Sequence, residues 1–357
     1  MTQPTRFAIV GAGWRAEFFF RIAQRLPERL SLVGVVARRP ERAAQLWEDW
    51  GLRAYANLDD LQAHESPAFV VTCVPWDQNP GLVRELAQRG MPVLSETPPA
   101  SERDGLASLY GLVQNGARIQ VAEQYTRQPH HAARLAFVEQ GFLGAVSQAQ
   151  VSACHGYHGT SLIRHYLGID MEPVTVRATN FSAPLIAGPG RDGPPTEERT
   201  TQSQQTIAWL RFPGKLGVYD FSGDQYFSWI RNERLLVRGA RGEIIDQSAS
   251  YLQAFDRPIN TTFRRQVAGV NGNLEGHHLK GITAAGRWCY VNPTAPARLS
   301  DDEIAIASLL LEMGAYVDGG PEPYPLAQAC QDRYLDLLIA RAVETGESVE
   351  SWPQPWH

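Results

Sequence analysis

A glycine-rich turn that joins an apolar segment to an amphipathic segment constrains the fold of this chain more than any other feature. Residues 7–10 predict a buried strand and residues 16–25 predict a helix. The connection consists of Gly11, Ala12, Gly13, Trp14, Arg15 and Ala16. In this context the first glycine permits a tight bend, the second lets backbone amides approach a diphosphate, and the alanine allows close helix packing. The pattern predicts a dinucleotide site, and the alternative is a simple strand-to-helix turn.

The segments that follow continue the alternation of strands and helices. Further strands are predicted at residues 32–36, 69–74 and 92–95, and further helices at residues 40–50 and 80–89. Strands that alternate with helices form parallel sheets, because each helix carries the chain back to the end of the sheet at which the previous strand began. We therefore predict an α/β protein whose residues 1–126 form an NAD(P)-binding Rossmann domain.

The pattern changes after residue 126, where strands follow one another without long helices between them. Strands are predicted at residues 146–153, 206–212, 216–221 and 234–237, an exposed loop at 187–198, and closing helices at 301–317 and 326–345. Strands with short connections favour antiparallel pairing. We predict that residues 127–357 form an α+β domain with a large open, mostly antiparallel sheet that binds substrate and supports oligomerisation.

Composition excludes several classes of partner. The net charge of −5 gives no basic surface for nucleic acid, and no apolar stretch is long enough to cross a membrane. The four cysteines show no zinc or disulfide spacing, and residues 1–6 show no secretion signal. These features predict a cytoplasmic protein with a small-molecule partner and no metal.

The end of the second predicted strand bears on the choice of nucleotide. NAD-preferring sites usually carry an acidic residue about 20 residues beyond the glycines. This chain has Arg38 and Arg39 there instead, and a guanidinium can pair with the 2′-phosphate of NADP or stack on adenine. We predict NADP(H), with NAD(H) left open; the alternative is a pair of solvated arginines.

Several short motifs occur in a recognisable order along nearly the whole chain. They are the glycine turn, Val74-Pro75, Ser95-Glu96-Thr97-Pro98, His155-Gly-Tyr-His158 and Gly239-Ala-Arg-Gly242. In this combination the sequence resembles the Gfo/Idh/MocA oxidoreductases, which include glucose-fructose oxidoreductase and inositol dehydrogenase. The resemblance implies hydride transfer at a carbinol carbon of a sugar, polyol or related compound, in a homodimer or homotetramer.

The sequence departs from the family at two positions that carry chemistry. Thr97 replaces the lysine of a Glu-Lys-Pro motif, although Glu96 is retained. A threonine can donate one hydrogen bond but brings no positive charge to a developing alkoxide. Cys154 replaces the aspartate of an Asp-x-x-x-His pattern, and the neighbouring His155 could recover part of its polar role.

His158 occupies the histidine position of the same pattern, and imidazole is suited to proton transfer near neutral pH. The catalytic candidates are therefore His158, Thr97, Cys154 and His155. The alternative is that these are structural residues at a helix entry. The resemblance also implies cofactor contacts from Pro75, Trp76, Asn79 and Glu96, and Gln124 is expected to face the cleft between the domains.

Two histidine doublets, His130-His131 and His277-His278, have no partner at metal-ligand spacing. We expect them to be solvated surface residues rather than metal ligands.

Three functions are compatible with these observations. The leading one is an NAD(P)-dependent oxidoreductase. The loss of the family lysine and aspartate raises a second, a redox-inactive nucleotide-binding sensor or regulatory protein. In the third, a tightly bound cofactor oxidises a sugar transiently to assist elimination or glycoside cleavage.

Overall fold

The structure is a computed structural model that describes residues 3–269 and 277–357. Its first sheet has six strands: β1 (Thr5–Val10), β2 (Leu30–Val36), β3 (Ala54–Tyr55), β4 (Phe69–Thr72), β5 (Val93–Ser95) and β6 (Ile119–Val121). All neighbouring strands are parallel, in the order β3-β2-β1-β4-β5-β6. This is the strand order of dinucleotide-binding folds, in which the order reverses between β1 and β4.

Helices cover both faces of the parallel sheet. The five that connect its strands are α1 (Trp14–Arg25), α2 (Pro40–Trp50), α3 (Leu58–His64), α4 (Asn79–Gln88) and α5 (Arg103–Gln114). A sixth helix, α8 (Asp301–Val317), comes from far along the chain and buries Leu309 and Met313 in the same core cluster as Phe7 and Phe19. The predicted division at residue 126 stays a prediction, but residues 301–317 pack with the N-terminal strands.

The second sheet has nine strands and begins in β7 (Val146–Ser152). The others are β8 (Thr175–Ile186), β9 (Thr200–Phe212), β10 (Lys215–Ser222), β11 (Arg234–Gly239), β12 (Gly242–Ile245), β13 (Ser248–Ala254), β14 (Arg257–Thr262) and β18 (Val349–Glu350). Their order is β14-β13-β12-β11-β7-β10-β9-β8-β18, and only the β7–β10 pair is parallel. The prediction of a mostly antiparallel sheet is confirmed.

The remaining elements close the core of the C-terminal part. They are β15 (Arg264–Ala268), β16 (His278–Ala284) and β17 (Arg287–Val291), which form a small antiparallel sheet, and α6 (Pro129–Glu139), α7 (Gly156–Leu167) and α9 (Leu326–Thr345). α7 and α9 pack together and both contact the nine-stranded sheet. None of the helices in the described residues is long and apolar enough to cross a membrane.

A buried ion pair ties α7 to α9. The guanidinium of Arg164 lies 2.5 Å from Asp332, and the two side chains are 1% and 0% exposed. Asp332 also accepts a hydrogen bond from the hydroxyl of Tyr324. Because buried charges are stable only when fully paired, this network fixes α7, which carries the candidate catalytic histidine.

Candidate functional site

A cavity of about 850 Å³ opens at the carboxyl ends of β1, β2 and β4. This is the point at which the strand order reverses, and ligands of open α/β sheets bind there. Residues from the end of each strand line it, among them Val10, Gly11, Val36, Arg38, Cys73 and Pro75. The cavity has room for a dinucleotide and is bounded on its phosphate side by the glycine turn.

The two glycines of the turn have different structural roles. Gly11 has a φ of 107°, and a Cβ there would lie 2.1 Å from the carbonyl oxygen of Cys73. Gly13 precedes α1, where no side chain caps the first turn, and a Cβ there would meet nothing within 4 Å. The free N–H groups of the helix start and the open space above Gly13 therefore fit a diphosphate. Ala16 lies in the first turn of α1 and is fully buried.

Three arginines surround the end of β2. Arg38, Arg39 and Arg42 all line the cavity. Arg42 is held in place because its Nε donates to the carbonyl of Ala12 at 2.9 Å. Arg38 donates to Gln78 at 3.3 Å and is exposed. The sequence motif did not point to Arg42, because this residue lies in α2, beyond the strand end at which nucleotide preference is usually determined.

The other residues predicted to contact the cofactor are placed differently. Pro75 lines the cavity, whereas Trp76 is 56% exposed and is not among its lining residues. Asn79 is buried and uses both amide protons internally, donating to Ser95 and to the carbonyl of Pro99. It connects the ends of β4 and β5. Trp14 is exposed and packs edge-on against Phe18.

Arg15 links the glycine turn to the Glu96-Thr97 segment. Its Nε donates to Glu96 at 2.7 Å, and its guanidinium also lies 3.9 Å from Asp302. The second carboxylate oxygen of Glu96 accepts from the backbone N–H of Thr97 at 3.3 Å. Glu96 thus positions the threonine that stands where the resemblance places a lysine. Lys215, in contrast, donates to carbonyls at the end of α7.

His158 forms a buried pair with Glu123. The imidazole Nδ1 lies 2.6 Å from a carboxylate oxygen of Glu123, and the side chains are 4% and 0% exposed. The opposite ring nitrogen, Nε2, lies 3.4 Å from the hydroxyl of Thr97. The other oxygen of Glu123 accepts from the backbone N–H of Tyr125 at 3.0 Å. The structure therefore brings His158 and Thr97 together and adds a carboxylate behind the ring.

Burial sets the protonation of this pair. It raises the pKa of Glu123 well above its usual value. It lowers the pKa of His158 to about 3, and the positive charge of Arg15 acts in the same direction. Both shifts favour neutral side chains, so the hydrogen bond between them determines which imidazole nitrogen carries the proton.

Cys154 and His155 stand on the other side of the site. Cys154 is fully buried, and burial raises the pKa of its thiol well above the usual value, so it does not replace a carboxylate. His155 lies edge-on to His158 with ring centroids 4.7 Å apart, and its Nδ1 lies 2.7 Å from the hydroxyl of Tyr226. Burial lowers the pKa of His155 to about 3.

Two residues that follow β6 complete the site. The ring of Tyr125 lies 4.4 Å from that of His158, centroid to centroid. Gln124 is 6% exposed, and its side-chain oxygen has no hydrogen-bond partner within the described part of the chain. The sequence predicted that polar atoms of residues 123–125 face the cleft between the domains and favoured Gln124 as the contact, without a catalytic role for Glu123. The only available signal was a carboxylate at the end of a buried strand.

The histidine doublets also differ from expectation. His131 is 1% exposed, so the prediction that it is a solvated surface residue is wrong. It is enclosed because α6 packs against β16 and β17. His277 is exposed, as expected.

The parallel sheet with its glycine-lined cavity defines a dinucleotide-binding protein. Residues 5–123 match the model of the Gfo/Idh/MocA oxidoreductases, described as having an NAD-binding Rossmann fold. The resemblance found in the sequence is confirmed over these residues, which form the N-terminal third of the chain. No curated protein matches the sequence.

Solved structures share the fold over the full length. Levoglucosan dehydrogenase, in complex with NADH and levoglucosan, is 14% identical with a TM-score of 0.69, covering 98% of this chain and 99% of that one. The WlbA dehydrogenase from Bordetella pertussis, with NADH and UDP-GlcNAcA, is 18% identical with a TM-score of 0.66, covering 99% and 100%. A myo-inositol dehydrogenase from Corynebacterium glutamicum is 18% identical with a TM-score of 0.64, covering 98% and 99%. At these identities the similarity concerns the fold.

Proposed function

We propose that this protein transfers hydride between NADP(H) and a carbinol carbon of a sugar, polyol or related derivative. The observation that carries the proposal is the buried His158–Glu123 pair, whose free imidazole nitrogen lies 3.4 Å from Thr97. A proton-transfer group is needed because an alcohol loses its hydroxyl proton as hydride leaves carbon. Dehydrogenases of similar fold bind levoglucosan and UDP-GlcNAcA, which supports a carbohydrate-like substrate.

The His158–Glu123 pair can act as the base when the substrate is oxidised and as the acid when it is reduced. When Glu123 is ionised it accepts the Nδ1–H of His158, which leaves the lone pair of Nε2 free to take the substrate hydroxyl proton. As Nε2 gains this proton, the Nδ1 proton can move to Glu123, so that the buried pair stores one proton and the ring remains neutral. In the reverse direction Nε2 returns the proton to the substrate oxygen.

Two neighbouring groups stabilise the charge that develops on the substrate oxygen. The Thr97 hydroxyl can donate a hydrogen bond there. The Arg15 guanidinium pairs with Glu96 at 2.7 Å, and the positive charge that this pair leaves uncompensated lies on the same side of the site. We propose that Arg15 replaces part of the electrostatic role of the lysine that this chain lacks.

The cofactor is proposed to lie in the cavity at the ends of β1, β2 and β4. Its diphosphate would bind at Gly11 and Gly13, and its 2′-phosphate would pair with Arg38, Arg39 and Arg42. The nicotinamide, when bound, supplies the acceptor or donor of hydride. The concentration of three guanidinium groups at the ribose end favours NADP(H) over NAD(H).

The nine-stranded sheet is proposed to form the contact between subunits of a homodimer or homotetramer. Trp209 of β9 pairs with Arg177 of β8, and Phe181 follows on the same face four residues later. Phe181 and Trp209 are 57% and 45% exposed. Large apolar side chains on an open sheet face are typical of association surfaces.

The proposal is tested by incubating the protein with NADP⁺ or NAD⁺ and a panel of sugars, polyols and sugar acids while the absorbance of reduced nicotinamide is followed. We expect turnover that requires His158, with the His158→Asn variant inactive but still binding the cofactor. Cofactor binding without turnover on any substrate would support the sensor instead. A changed product without net reduced cofactor would support assisted elimination.

A further inference from the structure

A cluster of histidine and carboxylate side chains lies apart from the proposed cofactor cavity. His130 and His131 are in the first turn of α6, and Glu233 immediately precedes β11. One nitrogen of each imidazole and one oxygen of Glu233 all lie within 4.8 Å of one another. The sequence does not reveal this grouping, because Glu233 is about one hundred residues from the doublet.

The ring nitrogens that face this cluster lack hydrogen bonds. The Nε2 atoms of His130 and His131 are buried and have no partner within the described residues. Glu233 comes closest, 3.7 Å from the Nε2 of His130, which is beyond hydrogen-bond distance. Buried polar atoms are nearly always satisfied, so two adjacent imidazole nitrogens without a protein partner mark a place for a bound water or ion.

A hydrogen bond behind the ring of His131 orients its free nitrogen. The Nδ1 of His131 lies 2.9 Å from the hydroxyl of Tyr166, and the Nδ1 of His130 lies 3.9 Å from Asp301. When Nδ1–H donates to an oxygen, the lone pair of Nε2 is left free to bind a metal. The hydroxyl of Tyr166 thus occupies the position that supports a histidine ligand in metal sites, whereas Asp301 is too far from His130 for a direct hydrogen bond.

The charges around the cluster permit a cation. Arg265 makes a two-point ion pair with Asp301 at 2.6 and 2.7 Å, and Arg234 is 2.8 Å from Asp220. Their charges are therefore compensated. Arg134, one turn along α6, also lines the cavity beside the cluster and opposes a cation, so the carboxylate of Glu233 is the group of the cluster that favours one.

The cluster opens into a cavity of about 930 Å³ that Glu233, Asp246 and Arg265 also line. Two imidazoles and one carboxylate are a donor set of zinc sites that keep a fourth position for an exchangeable ligand. We infer that His130, His131 and Glu233 bind a divalent transition-metal ion of the zinc type, with its fourth position facing this cavity. The fourth ligand is water or an oxygen of a small molecule.

Only small movements are needed to close the site. Tetrahedral zinc with bonds of about 2.0 Å holds its donors roughly 3.3 Å apart. The Glu233 side chain is 52% exposed and that of His130 is 26% exposed, so both can approach the more rigidly held His131.

The test measures zinc binding by the full-length protein after chelator treatment and dialysis. Isothermal titration with Zn²⁺ gives the affinity and stoichiometry, and titration with Co²⁺ reports tetrahedral coordination by its visible absorption. We expect one ion per chain. Glu233→Gln and His130→Asn should each weaken Zn²⁺ binding by at least about 100-fold, since even loss of a supporting residue costs 10–100-fold.

His277→Asn is the matched control, because His277 is an exposed histidine of the other doublet and could bind zinc adventitiously. It should leave the affinity unchanged. The inference is overturned if the wild-type protein binds no zinc, or if Glu233→Gln and His130→Asn bind it as tightly as wild type. Both variants change partly exposed side chains, and their melting curves without zinc verify that they fold.

Discussion

Replacing Glu123 by glutamine tests the proton-transfer pair with almost no change in shape. One carboxylate oxygen accepts from the N–H of Tyr125 and the other faces Nδ1 of His158. In the variant, the N–H of Tyr125 requires an oxygen, so the amide nitrogen is directed towards His158. Nδ1 must then accept a hydrogen bond, and the ring proton moves to Nε2. The nitrogen that faces the substrate becomes a donor and can no longer act as a base.

The expected loss follows from the contribution of general base catalysis. Positioned acid–base groups contribute about 10²–10⁴-fold, so kcat for alcohol oxidation should fall by that factor, or about 3–5 kcal/mol in activation free energy. The assay is single-turnover formation of reduced cofactor with the substrate that the panel identifies. Affinity for NADP⁺ should not change, because Glu123 does not line the cofactor cavity.

Cys154→Ser is the control, since the family resemblance places a carboxylate there and the structure shows a buried thiol. It should alter kcat by less than about threefold, because a protonated thiol takes no part in proton transfer. The reasoning is refuted if Glu123→Gln oxidises substrate at a rate within threefold of wild type while remaining folded.

Four further results are expected. Gly13→Ala should keep the melting temperature of the wild-type protein but bind NADP⁺ at least about tenfold more weakly in calorimetry, because the added methyl group enters the space for the diphosphate. Gly11→Ala should fail to fold stably, because its methyl group would meet the carbonyl oxygen of Cys73. Arg38→Ala should weaken NADP⁺ binding by roughly 10- to 100-fold and NAD⁺ binding little, since a hydrogen bond to a charged group contributes about 1.5–3 kcal/mol. Arg103→Ala is the control, and equal losses for both nucleotides would contradict the pairing of Arg38 with the 2′-phosphate. Oxidation should become faster as pH rises through one ionisation above the usual carboxyl pKa, because burial raises the pKa of the carboxyl in the catalytic pair and its base form has lost that proton. Reduction should show the opposite trend, and a midpoint at or below the usual carboxyl pKa would be inconsistent with the pair. Asp332→Asn should lower the free energy of unfolding by about 3–5 kcal/mol in urea titrations because it leaves a buried guanidinium unpaired; a loss below 1 kcal/mol would show that the pair does not stabilise the fold.

Local sequence patterns were sufficient to predict the parallel sheet and its glycine turn. The bounds of α2, α8 and α9 agree with the prediction, because their ends carry clear signals: α2 begins at Pro40 and stops at Gly51, α8 follows the capping residue Ser300, and α9 stops at Gly346. The same patterns did not reveal that α8 packs on the N-terminal sheet. That placement depends on contacts between residues about 300 positions apart, such as Arg21 with Glu303.

Polar strands and long-range pairs were harder to predict. β9 begins at Thr200, six residues before the predicted start, because its first residues are polar and lie on an exposed part of the sheet. Glu123 and His158 are 35 residues apart and meet because the end of β6 and the start of α7 lie next to each other. The family motif places its carboxylate at Cys154, whereas the carboxylate that contacts His158 is Glu123, which follows β6.

The most direct test of the account is a crystal structure of the protein with NADP⁺ bound. We expect the diphosphate at Gly11 and Gly13, the 2′-phosphate among the arginines at the end of β2, and the nicotinamide C4 facing the space between Thr97 and the Nε2 of His158. A nicotinamide ring turned away from His158, or a diphosphate bound elsewhere, would contradict the proposed function.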